Sequence, residues 1–223
     1  MVKIFDAELI KGLFIVTDDG NRALINTGSP FIINDENKRT IPMGEIYLND
    51  ARCNVDPNIS EIRGLEYFAQ HKVLLDYRKA AVIVADQGDD VSVVRPVAEF
   101  PISVQPHCIL FDITINGKIR KMIFDTGTST ANYLARSIID TEKDLRIVSF
   151  LTLPPMLGNS IELFSLPVEI GGETVDIPFG VQPADIDRDV QISGAVGVIG
   201  VGLYKNFQVL VDLPNKRLVL GRY

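Results

Sequence analysis

Two short stretches place a candidate for acid–base chemistry in matching surroundings. Met122-Ile-Phe-Asp125-Thr126-Gly127-Thr128 carries a carboxylate after an apolar run. Ala23-Leu-Ile-Asn26-Thr27-Gly28-Ser29 carries an amide at the same place. A carboxylate at the start of a Thr-Gly turn projects from a tight loop, because Gly allows backbone geometry that a β-carbon hinders. Two such loops meeting at a two-fold axis would bring their leading side chains together. Two carboxyls in that position share one proton, since like charges in contact do not both ionise. The ionised member then activates water, and the protonated one polarises a carbonyl. In this chain one of the two groups is Asn26, an amide of nearly the same shape as Asp. It can hydrogen-bond Asp125 but is a poor general acid, and losing such a group typically lowers rates by about 10²–10⁴. Taken alone, an Asn before Thr-Gly is an ordinary turn residue; its match to Asp125 makes that reading incomplete.

The elements that must position these loops are written twice. Each loop follows a strand-turn-strand pattern, with Asp19-Gly20 and Asn116-Gly117 as the hairpin turns. A second matched pair lies downstream, in Ile62–Val84 and Val198–Leu220. There Gly64 aligns with Gly200, Phe68 with Tyr204 and Asp76 with Asp212, with 12 positions from Gly to Asp in both copies. Each reads as a Gly turn, a helical turn, a strand, a turn and a last strand. Elsewhere apolar and polar residues alternate with β-branched enrichment, which predicts strands. One helix is expected over Ala131–Asp140, from the spacing of Leu134, Ile138 and Ile139, with Thr130 as its cap. The polar "DQGDD" beginning at Asp86 marks the boundary, giving lobes of residues 1–95 and 96–223.

This constellation resembles the aspartic peptidases of the retroviral-protease and pepsin kind. "IFDTGTS" with Val198-Ile199-Gly200 matches both of that family's motifs in the second half. "LINTGSP" with Ile62-Arg63-Gly64 matches in the first half with two departures, Asn26 and Arg63. The resemblance implies an all-β fold of two acid-protease-like lobes, as closed or sandwich-like barrels related by a pseudo-two-fold axis, with few short helices. It implies endopeptidase hydrolysis of an extended peptide in the cleft between the lobes. Asp125 and Asn26 would occupy the catalytic positions, supported by Thr27, Gly28, Ser29, Thr126, Gly127 and Thr128. Thr27 and Thr126 would interlock across the axis. With both loops in one chain, a monomer makes a complete site. With Asn26 as written, weak or no activity is expected, and a non-catalytic peptide-binding or regulatory module is the alternative. Asn26 fits either a natural pseudo-enzyme or an engineered replacement of Asp. The family has an apolar residue at the position of Arg63; an Arg there would either neutralise Asp125 or extend to solvent.

The halves differ in length between motifs: 38 positions from Asn26 to Gly64, against 75 from Asp125 to Gly200. The resemblance implies a flap hairpin over the site. The second half offers one in Ser149–Phe164, with Met156, Leu157, Gly158 and Asn159 at its tip. The first half offers only "RTIPMGEIYLNDARCNV", with a turn at Asn49-Asp50.

The remaining features bound the function class. Net charge is −7 and the pI about 4.9, which argues against nucleic acid and anionic membranes as partners. No apolar run reaches the ~18 residues of a membrane helix. Cys53 and Cys108, one in each half, read as free thiols of a cytoplasmic protein. His107 and Cys108 are adjacent, and in a strand they would face opposite ways, which argues against a Cys-His nucleophile. The acidic run Pro183–Asp189 lacks a calcium-loop pattern and reads as a solvated loop. No metal or cofactor is expected, and the partner expected is a peptide or protein substrate.

Overall fold

The computed structural model describes residues 1–128, 131–141, 147–151 and 161–223. Strands dominate them, with five short helices. In the first half, β1 (Val2–Ile10), β2 (Leu13–Asp18) and β3 (Asn21–Ile25) form an antiparallel meander. Asp19 and Gly20 both take positive φ, +49° and +82°, the twist that a two-residue hairpin turn requires. β5 (Glu61–Arg63) lies parallel to β3, and β4 (Ile32–Asn34) antiparallel to β5. The order β1-β2-β3-β5-β4 is an open sheet.

Helix α1 (Gly44–Asn54) covers one face of that sheet. It stands where a turn at Asn49-Asp50 was expected. Leu48 and Ala51, three positions apart, bury against Leu13, Ile15, Leu24 and Ile62, while Asn49 and Asp50 face solvent. Helical spacing of the small apolar set outweighs the turn preference of Asn-Asp.

The second half closes. β9 (Cys108–Ile115), β10 (Lys118–Phe124), β15 (Gly197–Ile199), β11 (Asn132–Leu134), β14 (Glu173–Val181) and β13 (Ile161–Ile170) pair in that order, and β13 returns to β9. A closed ring leaves no edge among its members. The difference in length between the halves therefore buys closure: the first half has no counterpart of the β13–β14 hairpin and uses α1 instead. The hairpin turn at Asn116 and Gly117 repeats the positive φ of its first-half counterpart, +49° and +68°.

Two further corrections concern helices. Ala131–Asp140 is not one helix. Asn132–Leu134 is strand β11, and only Arg136–Ile139 is helical (α3). Tyr133 and Leu134 are buried because β14 and β15 pair on either side, so apolar residues that suit a helix face are used by a central strand. The acidic run is not a loop. It begins α4 (Ala184–Ser193), and Gly194 ends the helix at φ +75°.

A shared sheet joins the halves. Its order is β1, β7 (Ala81–Asp86), β6 (His71–Asp76), β16 (Gln208–Asp212), β17 (Arg217–Arg222) and β8 (Arg95–Gln105). At its centre Leu74 pairs with Leu210, flanked by Val73–Val211 and Leu75–Val209. When Asp76 is aligned with Asp212, Leu74 and Leu210 are equivalent positions, so the pairing is two-fold about their contact. One apolar core runs beneath the sheet from Phe14 and Val73 to Phe124 and Val211. β8 pairs with β17 along one part and with β9 along the next. The preceding segment folds over the sheet, packing Val91 and Val93 on Leu74, Leu210 and Val219.

Candidate active site

The two Thr-Gly loops leave β3 and β10, each held by a short parallel neighbour. Asn26 donates its N–H to Arg63 C=O at 3.1 Å, and Asp125 donates to Ile199 C=O at 3.1 Å. Each loop then closes on itself: Ser29 N–H bonds to Asn26 C=O at 3.1 Å, and Thr128 N–H to Asp125 C=O at 3.3 Å.

Across the axis the bonds are reciprocal. Thr27 N–H donates to Thr126 Oγ1 at 2.9 Å, and Thr126 N–H donates to Thr27 Oγ1 at 2.9 Å. The hydroxyls donate onward, Thr27 to Phe124 C=O at 3.2 Å and Thr126 to Ile25 C=O at 3.0 Å. Both threonines are fully buried. Each hydroxyl both accepts and donates, so four buried backbone groups are satisfied by two side chains.

This lock brings the leading side chains together. Gly127 N–H donates to Asp125 Oδ1 at 2.7 Å, and Gly28 N–H to Asn26 Oδ1 at 2.9 Å. The Gly28 N–H also favours the ionised form of the Asp125 carboxyl. A β-carbon on Gly28 would lie 2.6 Å from both Asp125 oxygens, and one on Gly127 would strike the Asn26 amide. Both glycines are therefore required by close approach of the facing side chain. Burial pushes the Asp125 carboxyl up to about 6, against the opposing pull of the Gly127 and Gly28 N–H groups. Asn26 Oδ1 is committed to the Gly28 N–H donor.

Ser29 and Thr128 support their loops differently. Thr128 Oγ1 donates to Asp125 C=O at 2.6 Å, whereas Ser29 Oγ donates to Phe31 C=O at 3.2 Å. Asn132, which sequence reasoning missed, is fully buried. Its Oδ1 accepts N–H bonds from Gly200 at 3.1 Å and Gly202 at 3.0 Å, fixing the segment that carries Ile199 beneath Asp125.

Arg63 takes neither course expected of it. It is buried, donates to Glu61 at 2.7 Å and to Asp18 at 2.9 Å, and stacks its guanidinium 4.9 Å from the Tyr67 ring centre. Its charge is spent on those carboxylates, not on Asp125 and not in solvent.

Asp125 and Gly28 open into a cavity of about 410 Å³. Pro30 and Tyr47, the latter from α1, form one side; Val190 and Ile192 of α4 form another. His107 and Cys108 line the same cavity, because His107 lies in the β8–β9 turn and not in a strand. Strand alternation therefore does not separate them as expected. Burial, and then the Asp125 charge, push the Cys108 thiol up, which keeps it protonated and a weak nucleophile. Both cysteines are free thiols. Among the described residues no cluster has the makings of a metal site, and no helix is long and apolar enough to cross a membrane. The expected flap residues Met156, Leu157, Gly158 and Asn159, and the expected cap Thr130, lie outside the described residues.

No protein-family model and no curated protein sequence matches this chain. Solved structures do. An aspartic proteinase from Irpex lacteus aligns with a TM-score of 0.53 at 12% identity, covering 100% of this chain and 97% of its own. Basic 7S globulin from soybean aligns with a TM-score of 0.53 at 11% identity, covering 99% and 94%. A retropepsin-like aspartic protease from Rickettsia conorii matches with a TM-score of 0.42 at 19% identity, over 60% of this chain and 97% of its own. With strands, a shared sheet and paired Thr-Gly loops as described, this chain has the all-β fold of the aspartic proteases.

Proposed function

We propose that this chain is an aspartic-endopeptidase-like protein that takes an extended peptide in the cleft above Asp125, with its catalytic pair disabled by Asn26. The observation that carries this reading is the reciprocal threonine lock, which sets one carboxylate and one amide at matching positions of the two Thr-Gly loops, with Asp125 opening into a cavity. Asp125, ionised above about pH 6, orients and deprotonates water. Asn26 can donate an N–H to a peptide carbonyl or to Asp125, but it has no proton to exchange through a catalytic cycle. The chain as written is then weakly active or inactive, a monomer whose two loops arose by internal duplication. Its partner is a peptide or protein, without nucleic acid, membrane or cofactor, and its setting is the cytoplasm.

The fixed orientation of the Asn26 amide also favours a second reading, a peptide-binding module that uses the same cleft without cleavage. One comparison separates the two. The chain, Asn26→Asp and Asp125→Asn are presented with an unbiased peptide library at acidic and neutral pH. Cleavage gained by Asn26→Asp supports the disabled peptidase. Binding without cleavage in every form supports the module, and neither binding nor cleavage overturns both.

A further inference from the structure

The surroundings of Asn26 are those of a carboxamide set up for hydrolysis. Its Oδ1 accepts the Gly28 N–H at 2.9 Å, a donor placed where negative charge would develop if the side-chain carbon were attacked. Asn26 is only partly buried, so water can reach its carboxamide. Asp125 approaches the same Gly28 closely enough to exclude a β-carbon there, so a carboxylate and a carboxamide both lie against one residue. The usual route of ammonia loss from Asn is blocked. That route needs the next residue's backbone nitrogen to attack the side-chain carbon and close a ring. Here Thr27 N–H is bonded to Thr126 Oγ1 at 2.9 Å in a fully buried, reciprocally locked loop, and ring closure would break the lock.

We propose that Asn26 is a self-modification site: Asp125 directs water onto the Asn26 carboxamide, which becomes Asp with release of ammonia, so that the folded chain completes its own carboxyl pair. The water oxygen bonds to Asn26 Cγ as Asp125 takes the water proton. Charge gathers on Oδ1, held by the Gly28 N–H. The Cγ–Nδ2 bond then breaks, and Asp125 returns the proton to the departing nitrogen. One water is consumed and one ammonia formed, with no change of oxidation state. Burial supports this role by making Asp125 a stronger base than an exposed Asp while leaving it ionised near neutrality. The inference goes beyond peptide cleavage, because the conversion at Asn26 needs no peptide in the cleft.

The test follows the mass of the Asn26 peptide in full-length protein held at 37 °C and neutral pH over several weeks. Asp125→Asn and the chain unfolded in urea serve as comparisons, and Asp125→Ala serves as a second variant if the first does not fold. The expected result is a one-dalton gain at Asn26, yielding Asp without isoaspartate. Its rate should exceed that in Asp125→Asn on the order of a hundredfold, the range of general acid–base assistance. No gain in the folded chain, an equal rate in Asp125→Asn, or a mixture with isoaspartate would overturn the proposal. A mass gain with no peptide cleavage keeps this inference and removes the peptidase reading. Cleavage by Asn26→Asp with no mass gain does the reverse.

Discussion

Asp125 should make the folded chain less stable as pH rises, which is the opposite of the usual carboxylate. Its carboxyl is pushed from the ordinary 3.8 up to about 6 by burial. Between those values the folded chain holds a proton that the unfolded chain has lost, so raising pH through the window favours unfolding. A shift of about two pH units corresponds to about 3 kcal/mol, fully expressed above the folded value and absent below the unfolded one. Asp125→Asn keeps the shape and removes the titration. The assay is urea unfolding of both proteins from pH 3.5 to pH 8, read as the difference in stability at each pH. Taking that difference cancels the groups that titrate the other way, such as Asp56, whose carboxyl is lowered by the Asn58 N–H and by Arg22. The expected result is that Asp125→Asn gains on the parent by up to about 3 kcal/mol between acid and neutral pH. Parallel stability curves would show that Asp125 ionises at no cost, and the account of a desolvated carboxylate would fail.

Two more outcomes follow from the geometry. Thr126→Val removes the acceptor for Thr27 N–H and the donor to Ile25 C=O, both buried; a loss of roughly 2–4 kcal/mol is expected in urea unfolding, and an unchanged midpoint would mean the lock is not holding the loops. Arg63→Met removes a buried cation from Glu61 and leaves Asp18 with Lys3 at 3.6 Å, and should destabilise by about 2–4 kcal/mol. The same change should leave the Asp125-dependent pH profile in place, since Arg63 is paired elsewhere; loss of that profile would make Arg63 a partner of Asp125.

What was legible in the sequence was what short range and repetition encode. Asp19-Gly20 and Asn116-Gly117 specify hairpin turns through backbone preference alone, and they form. The Asn26 and Asp125 loops were found by comparing the chain with itself, which turned an ordinary turn residue into half of a pair. Reading failed where one apolar pattern served two structures. Tyr133 and Leu134 satisfy a helix face, yet β14 and β15 claim them for a strand. Leu48 and Ala51 pulled Asn49-Asp50 out of a turn and into α1. These choices belong to partners distant in the chain.

The sequence by itself determined the strand-rich pattern, the two matching Thr-Gly stretches and the presence of an amide, Asn26, in one where the other has Asp125. It did so because turn chemistry, alternation and motif spacing are local. Only the tertiary structure decided that Arg63 is spent on Asp18, 45 positions away, that α1 and α4 wall the cavity, and that His107 and Cys108 share it. It also decided that Gly28 lies against both Asn26 and Asp125. Those outcomes depend on burial, and on which charges and donors meet across the axis, and neither is set before the two loops are locked together.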